Sequence, residues 1–343
     1  MTITIKDVAR RAGVSLITVS RVINGANNVR PDTRARVQAA ITDLQFIPNQ
    51  MASNLRSRQS NTLALLLPTI TAPFWTTIAR GVEDEAESRG YSVFLCNTDN
   101  DVRKESRYFD ALLGYRVAGV ITVPASESGS QLHLLHEHRM PFVQIHRKVE
   151  GIEADVVRGD SYGGALALST HLLNTGGRRV AYVGGPRTLL NSRDRLAGYE
   201  DALRNAGVAV DPALIRLGTL EQQTGYAIVR ELLHSGVHPD AIFIANSTLA
   251  VGALHALIEV GIRIPRDMLV ASYYDDAALD DFSPFMSTAI QPTYEMGRLS
   301  VRRLFAHIAG DVLPPEDLIL PNRIMIRDVS AADRASDTEL SAR

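Results

Sequence analysis

Apolar and polar positions in the first 60 residues recur at helical spacing, in three short stretches. The first predicts a helix over 5–12, where Val8, Ala9 and Ala12 share one face. Thr4 precedes it as an N-cap, with Asp7 three residues on, a capping box with a shorter acid. Gly13, having no Cβ, permits the tight turn that ends it. Ser15 then caps a second helix over 16–23, which turns Val19, Val22 and Ile23 inward, and Asn24-Gly25 closes it. Pro31 opens a third helix at its first turn, with Val37, Ala40, Ile41 and Leu44 as the core stripe. After residue 60 the pattern changes. Short β-rich runs at 62–67, 91–96, 117–123, 141–145, 179–183, 240–244 and 268–272 alternate with amphipathic stretches at 74–89, 102–113, 161–174, 193–206, 222–235 and 247–260. That alternation predicts an α/β body of parallel sheets with helices on both faces. A similar period in each half predicts two Rossmann-like subdomains side by side.

Two short helices joined by a glycine turn form a helix-turn-helix unit, and its second helix enters the major groove of DNA. The outward residues of that helix are Leu16, Ile17, Thr18, Ser20 and Arg21, with Asn24 just behind. Arg21 suits guanine O6 and N7, or a phosphate. Thr18, Ser20 and Asn24 are short donors that suit phosphates. A small dimerising helical bundle is the blander reading, but a merely solvated face does not need Leu16 and Ile17 beside Arg21. Charge points the same way. Residues 1–60 hold nine basic and three acidic side chains, a charge of +6, whereas the remaining 283 hold 27 and 35, a charge of −8. A small basic head on an acidic body reads as a polyanion-binding module on a separate soluble one.

A chain of 343 residues suggests two or three compact units. No apolar run approaches the ~20 residues of a bilayer-spanning helix. The first residues carry no apolar stretch of a secretory leader, so a cytoplasmic protein without a membrane partner is expected. Cys96 is the only cysteine, which excludes an intramolecular disulfide and a Cys-rich zinc site. The glycine pairs at 163–164, 176–177 and 184–185 match neither nucleotide motif, and no nucleophile elbow is present. His133, His136 and His138 lack a cysteine or carboxylate to complete a metal set and read as a solvated helix face. Neither an enzyme nor a cofactor is expected.

The stretches IKDVARRAGVSLITVSRVING (5–25), RPDTRARVQAAITDLQFIPNQMASNLR (30–56), NTLALLLPTITAPFW (61–75), RRVAYVGGP (178–186), RDRLAGYEDALRNAG (193–207) and DAIFIANSTLAVGALHALIEVGIRIPRDM (240–268) resemble the lactose-repressor (LacI/GalR) family of bacterial regulators. The resemblance implies a head over 1–60 ending in a hinge helix at about 49–57, which orders on operator DNA. There Leu55 would wedge between central base steps of the minor groove, flanked by Asn49 and Arg56. Thr4 joins the DNA-contacting set. It also implies a two-lobed periplasmic-binding-protein-like body over 61–328. The N-lobe would take 61–160 plus 292–322 and the C-lobe 161–291 plus 323–328, followed by a polar tail at 329–343. The chain departs from the family pattern at Ser53 and at Leu16-Ile17, two apolar side chains that favour thymine methyls.

Ligands of such sheets sit beyond the carboxyl ends of the strands. His146, Asn246, Asp275 and Gln291 fall there, and Arg195 lies at a helix start. The resemblance gives Arg195, Asn246 and Asp275 effector-contacting roles, and places Phe74, Leu220 and Gln291 at further pocket positions. An Asp and an Asn suit a polyol, and arginine suits a carboxylate. Asn246 and Asp275 also read as plain helix caps. His146 stands where the family often has Asp, and Ser247 replaces the usual Asp after Asn246. Both changes remove negative charge, so the expected effector is an anion, a sugar acid such as gluconate or a sugar phosphate, with a neutral sugar as rival. The expected whole is a repressor of sugar or sugar-acid utilisation genes. It binds a pseudo-palindromic operator as a homodimer and is released by inducer. The tail lacks a leucine heptad for tetramerisation. A solute-binding protein without a DNA role is the alternative; it would carry an export signal in place of a basic head.

Overall fold

The computed structural model describes residues 3–23, 26, 28–46, 60–273, 286–311 and 314–327. The chain divides into two compact units, 1–60 and 61–343. In the first, α1 (Ile5–Ala12), α2 (Leu16–Ile23) and α3 (Pro31–Asp43) follow the predicted pattern. Thr4 donates its amide and hydroxyl to the Asp7 carboxylate, at 3.0 and 2.7 Å. Gly13 takes φ +65°, and the carbonyl of Gly13 accepts from Arg36 of α3 at 3.1 Å, so the turn is pinned to the third helix. Ser15 Oγ accepts the Thr18 amide at 3.2 Å, as an N-cap should. Val8, Ala9, Ala12, Val19, Val22, Val37 and Ala40 form the core, with Ile23, Ile41 and Leu44 packed against it.

The second unit holds two six-stranded sheets. Its elements in chain order are β1 (Thr62–Leu67), α4 (Pro73–Glu87), β2 (Ser92–Asn97), α5 (Val102–Tyr115), β3 (Gly119–Thr122), α6 (Ser130–Glu137), β4 (Phe142–Ile145) and β5 (Val156–Gly159). Then come α7 (Ser161–Asn174), β6 (Val180–Gly184), α8 (Leu190–Asn205), β7 (Ile215–Leu217), α9 (Gln222–His234), β8 (Ala241–Ile244), α10 (Ser247–Glu259) and β9 (Leu269–Tyr273). The last are β10 (Ser287–Ile290), α11 (Thr293–Ala309), β11 (Asp317–Leu320) and β12 (Arg323–Met325). The strand orders are β11-β5-β4-β3-β1-β2 and β12-β10-β9-β8-β6-β7. All pairs are parallel except β10 with β12.

Such sheets bury both faces, so their strands are continuously apolar. In β1, Leu63, Leu65 and Leu67 enter one core with α4 and α11, whereas Ala64 and Leu66 enter another with α5 and α6. The chain leaves the first sheet after β5, builds the second through β10, returns as α11 and β11, and ends in β12. A Cβ on Gly81 would stand 2.1 Å from the Tyr294 carbonyl oxygen, and one on Gly297 2.3 Å from that of Ile78. These two glycines therefore let α4 and α11 touch backbone to backbone. Charge closes the same seam. Glu85, buried on α4, accepts from Arg89, Arg298 and Arg302 at 3.1 to 3.2 Å, and these hydrogen bonds, with that of Arg302 foremost, pull its carboxyl down to about 2.

Candidate functional site

In the head, α2 turns Val19 and Val22 into the core and leaves Leu16 42% and Ile17 65% exposed. The apolar pair is thus surface by construction of the helix. Arg21 is exposed on the same helix, while Thr18 is held by its hydroxyl to Ser15, 2.9 Å away, and Ser20 is half-buried. The basic charge of the head is less free than its total suggests. Arg10 pairs with Asp7 at 3.2 Å and Arg11 with Asp43 at 2.9 Å. Arg34 and Arg36 are spent on the backbone carbonyls of Ala26, Ala12 and Gly13. Lys6, Arg21 and Arg30 are exposed and face no carboxylate among the described residues. Lys6 and Arg30 escaped the sequence reading because charge counting does not separate paired from unpaired cations. Asn24, Asn49, Leu55 and Arg56, with the hinge, lie outside the described residues, as do Asp275 and the polar tail.

In the body, a cleft of about 200 Å³ opens at the carboxyl ends of both sheets, lined in part by Phe74, His146, Arg195, Leu220 and Asn246. Five residues far apart in sequence therefore meet in one cavity. Gln291 does not line it. Gln291 is buried at the return from β10 to α11, against Gly159, where a Cβ would stand 2.5 Å from its Oε1.

Three rings form the apolar wall. Phe74 and Trp75 are 4.6 Å apart edge to face, and His146 lies 4.9 and 5.1 Å from them. His146 takes φ +65° at the end of β4. Burial, then the positive charges of Arg195 and Arg147, hold its ring well below the usual imidazole range, so it is neutral at pH 7. Asn191 Nδ2 lies 3.0 Å from Nε2. With the amide donating there, the ring proton sits on Nδ1, which is buried without a partner.

Arg195 is 6% exposed; its guanidinium lies 3.8 Å above the Tyr273 ring and donates to the Ala245 carbonyl. Its Nε has no partner. Asn246 is the N-cap of α10, its Oδ1 accepting the amides of Thr248 at 2.9 Å and Leu249 at 3.2 Å. Asn246 thus takes the helix-cap role that the sequence also allows. The acceptor is committed to the helix, and only the NH₂ is left. Asn100, Arg147 and Asn191 also line the cleft and were missed, since none stands in a motif that marks it. No described lining residue is a carboxylate.

The same stretch of α8 ties the lobes together. Besides the Asn191–His146 contact, Arg193 pairs with Glu150 at 3.0 Å and Asp194 with Arg158 at 2.8 Å. An element that carries Arg195 into the cleft is therefore anchored across it at three successive points. Among the described residues no helix is long and apolar enough to cross a membrane.

Known proteins fit this architecture. Residues 4–49 match the family model described as "Bacterial regulatory proteins, lacI family", and residues 169–330 the "Periplasmic binding protein-like domain". The chain is 32% identical to the HTH-type transcriptional regulator RegA of Clostridium saccharobutylicum over 96% of this chain and 99% of that protein. It is likewise 32% identical to the ribose operon repressor of Escherichia coli K12, over 94% and 98%. Among solved structures, a transcriptional regulator CelR–cellobiose complex superposes with a TM-score of 0.73 at 32% identity, covering 96% of this chain and all of that one. The lac repressor dimer bound to operator superposes at 0.86 with 27% identity, covering 95% and 98%. With a helix-turn-helix head, two parallel-sheet lobes and relatives that are transcriptional regulators along their whole length, this chain belongs to the lacI family of bacterial regulatory proteins.

Proposed function

We propose that the protein is a repressor that grips a pseudo-palindromic operator as a homodimer and lets go when a sugar acid or sugar phosphate fills the cleft. One observation carries the effector class: the described wall of the cleft offers donors and positive charge but no carboxylate. Arg195 and Arg147 bring two guanidinium groups, Asn246 an NH₂, and His146 is neutral. Charged donors in a site shielded from water favour an anionic partner. The cavity has room for about six or seven waters at ~30 Å³ each, the size of one monosaccharide. The Phe74–Trp75–His146 wall suits the apolar face of such a ring or chain. Asp275 belongs to the proposed effector set through the family pattern, whereas Gln291 lies outside the cleft.

On the DNA side, Leu16, Ile17 and Arg21 read bases, with Thr4, Ser15, Thr18, Ser20 and Asn24 on the backbone. Asn49, Leu55 and Arg56 act in the minor groove. Effector binding changes how the lobes sit and so whether two hinge helices meet there. Regulated genes of sugar-acid utilisation fit this effector class. Calorimetry with a panel of sugars, aldonates and sugar phosphates tests the reading. Binding of an anion in the micromolar range supports it; tight binding of a neutral pentose and of none of the acids overturns it.

A further inference from the structure

The two arginines of the cleft, Arg195 and Arg147, differ from the ion-paired cations elsewhere in the body. Arg158 faces Asp194 and Asp317, Arg298 faces Glu85 and Glu295, and Arg303 faces Asp155 and Glu316. Arg147 is half-buried, lines the cleft, and has no carboxylate within ion-pair distance among the described residues. Its Nη1 donates to Asn100 Oδ1 at 2.7 Å and to the Pro124 carbonyl at 3.1 Å. Both acceptors are neutral, so they fix the fork without cancelling its charge. Three of the five guanidinium N–H groups remain for another partner.

The backbone explains how Arg147 reaches the cleft. Successive residues of a strand point to opposite faces. His146 leaves β4 in the left-handed region, and the Arg147 amide closes a tight turn onto the Ile145 carbonyl at 2.7 Å. The alternation is broken, and both His146 and Arg147 line the one cavity. A non-glycine residue at positive φ is disfavoured and persists where something is gained by it.

We infer that Arg147 is the specificity-determining residue for the charge of the effector: it receives the carboxylate or phosphate of an anionic monosaccharide derivative, from the N-lobe side of the cleft. The inference rests on the anionic-effector reading above and names the residue that reads the charge. Glu105 fits behind it. This buried carboxyl accepts the Ala125 amide at 3.1 Å, and burial pushes it up to about 7. Near neutrality it is therefore only partly charged, and neither it nor Glu127, the other carboxylate that acts on Arg147, forms an ion pair with the guanidinium.

The test uses the full chain and matched probes, D-gluconate against D-glucitol and glucose 6-phosphate against glucose, by calorimetry. Inorganic phosphate against chloride at equal ionic strength, read by thermal midpoint, removes any dependence on sugar stereochemistry. In the native chain at least one anion binds more tightly than its neutral counterpart, and phosphate raises the midpoint. Arg147→Gln lowers anion affinity by about 10- to 100-fold, the weight of a charge-assisted hydrogen bond, and changes neutral affinity less than about 3-fold. It also abolishes the phosphate shift. Asn100→Asp, which sets a carboxylate against an intact Arg147, weakens the anion in the same direction and serves if R147Q fails to fold. An R147Q protein that keeps its preference for the anion, or loses both ligands equally, overturns the role of Arg147. A native chain that ignores every anion, phosphate included, overturns the anionic-effector reading itself, and this inference with it.

Discussion

The seam between α4 and α11 and the cleft between the sheets are built from the same ingredients and use them in opposite ways. At the seam, each charge meets its opposite, one buried glutamate gathering three arginines, and on the other side of α11 the buried Asp155 before β5 accepts from Arg303 at 2.7 Å. In the cleft, Arg147 and Arg195 form no ion pair with a described carboxylate. Matched charges hold two segments of the chain together; those without an ion-pair partner among the described residues leave their charge for a ligand. Glu85 and Glu105 show the contrast in a single residue type. Both are buried on N-lobe helices, yet arginines pull one down to about 2 and burial pushes the other up to about 7.

Closing the seam sterically should break it most. Gly297→Ala pushes a methyl into the Ile78 carbonyl and is expected to cost about 3 kcal/mol of unfolding stability by denaturant titration, the upper range for overpacking. Glu105→Gln should act in the opposite direction. The folded value of Glu105 lies above the unfolded 4.5, so ionisation costs stability as pH rises from there to about 7, and the full cost is present above pH 7. Glu105→Gln is therefore expected to stabilise by about 2 to 3 kcal/mol at pH 8 and to be near neutral at pH 4. Thermal melts at the two pH values decide it.

Glu85→Gln returns to the seam with the sign reversed. A carboxyl held down contributes stability above its unfolded value of 4.5 that is lost as pH falls to about 2. Its arginines are part-exposed, which trims the loss to about 2 kcal/mol at pH 7, narrowing below pH 4. The head offers a smaller contrast. Ile17→Ala removes an exposed side chain, so stability should move by less than about 0.5 kcal/mol. Operator affinity should fall by about 10-fold if Ile17 meets a thymine methyl. A melt and a gel shift on the same protein separate the two.

The long apolar strands and amphipathic helices were legible because burial on both faces writes itself into composition. β1 to β4, β6, β8 and β9 read as strands; β7 does not, since its three residues Ile215–Leu217 lie at a sheet edge and are half-buried. β5, β10, β11 and β12 were missed for related reasons. They are three or four residues long, and Arg158, Ser287, Asp317 and Arg323 interrupt their apolar pattern. Arg158 and Asp317 pair with each other, and the Ser287 hydroxyl accepts the Arg327 amide at 3.0 Å. The cleft shows the same division. The rule that ligands sit past strand ends marks His146 and Asn246 from sequence. It does not mark Arg147, because only the positive φ at His146 turns that side chain inward. The rule is equally blind to the capping bonds that take the oxygen of Asn246.

The most direct test of the central claim, that the unmatched cations of the cleft take an anion that governs DNA release, joins the two units in one measurement. Fluorescence anisotropy would follow the full chain on a palindromic duplex selected from a randomised pool, titrated with gluconate and glucose 6-phosphate and with their neutral counterparts. The account predicts release by an anion at concentrations where glucitol and glucose leave the complex intact. Release by the neutral sugars, with the anions inert, would contradict it.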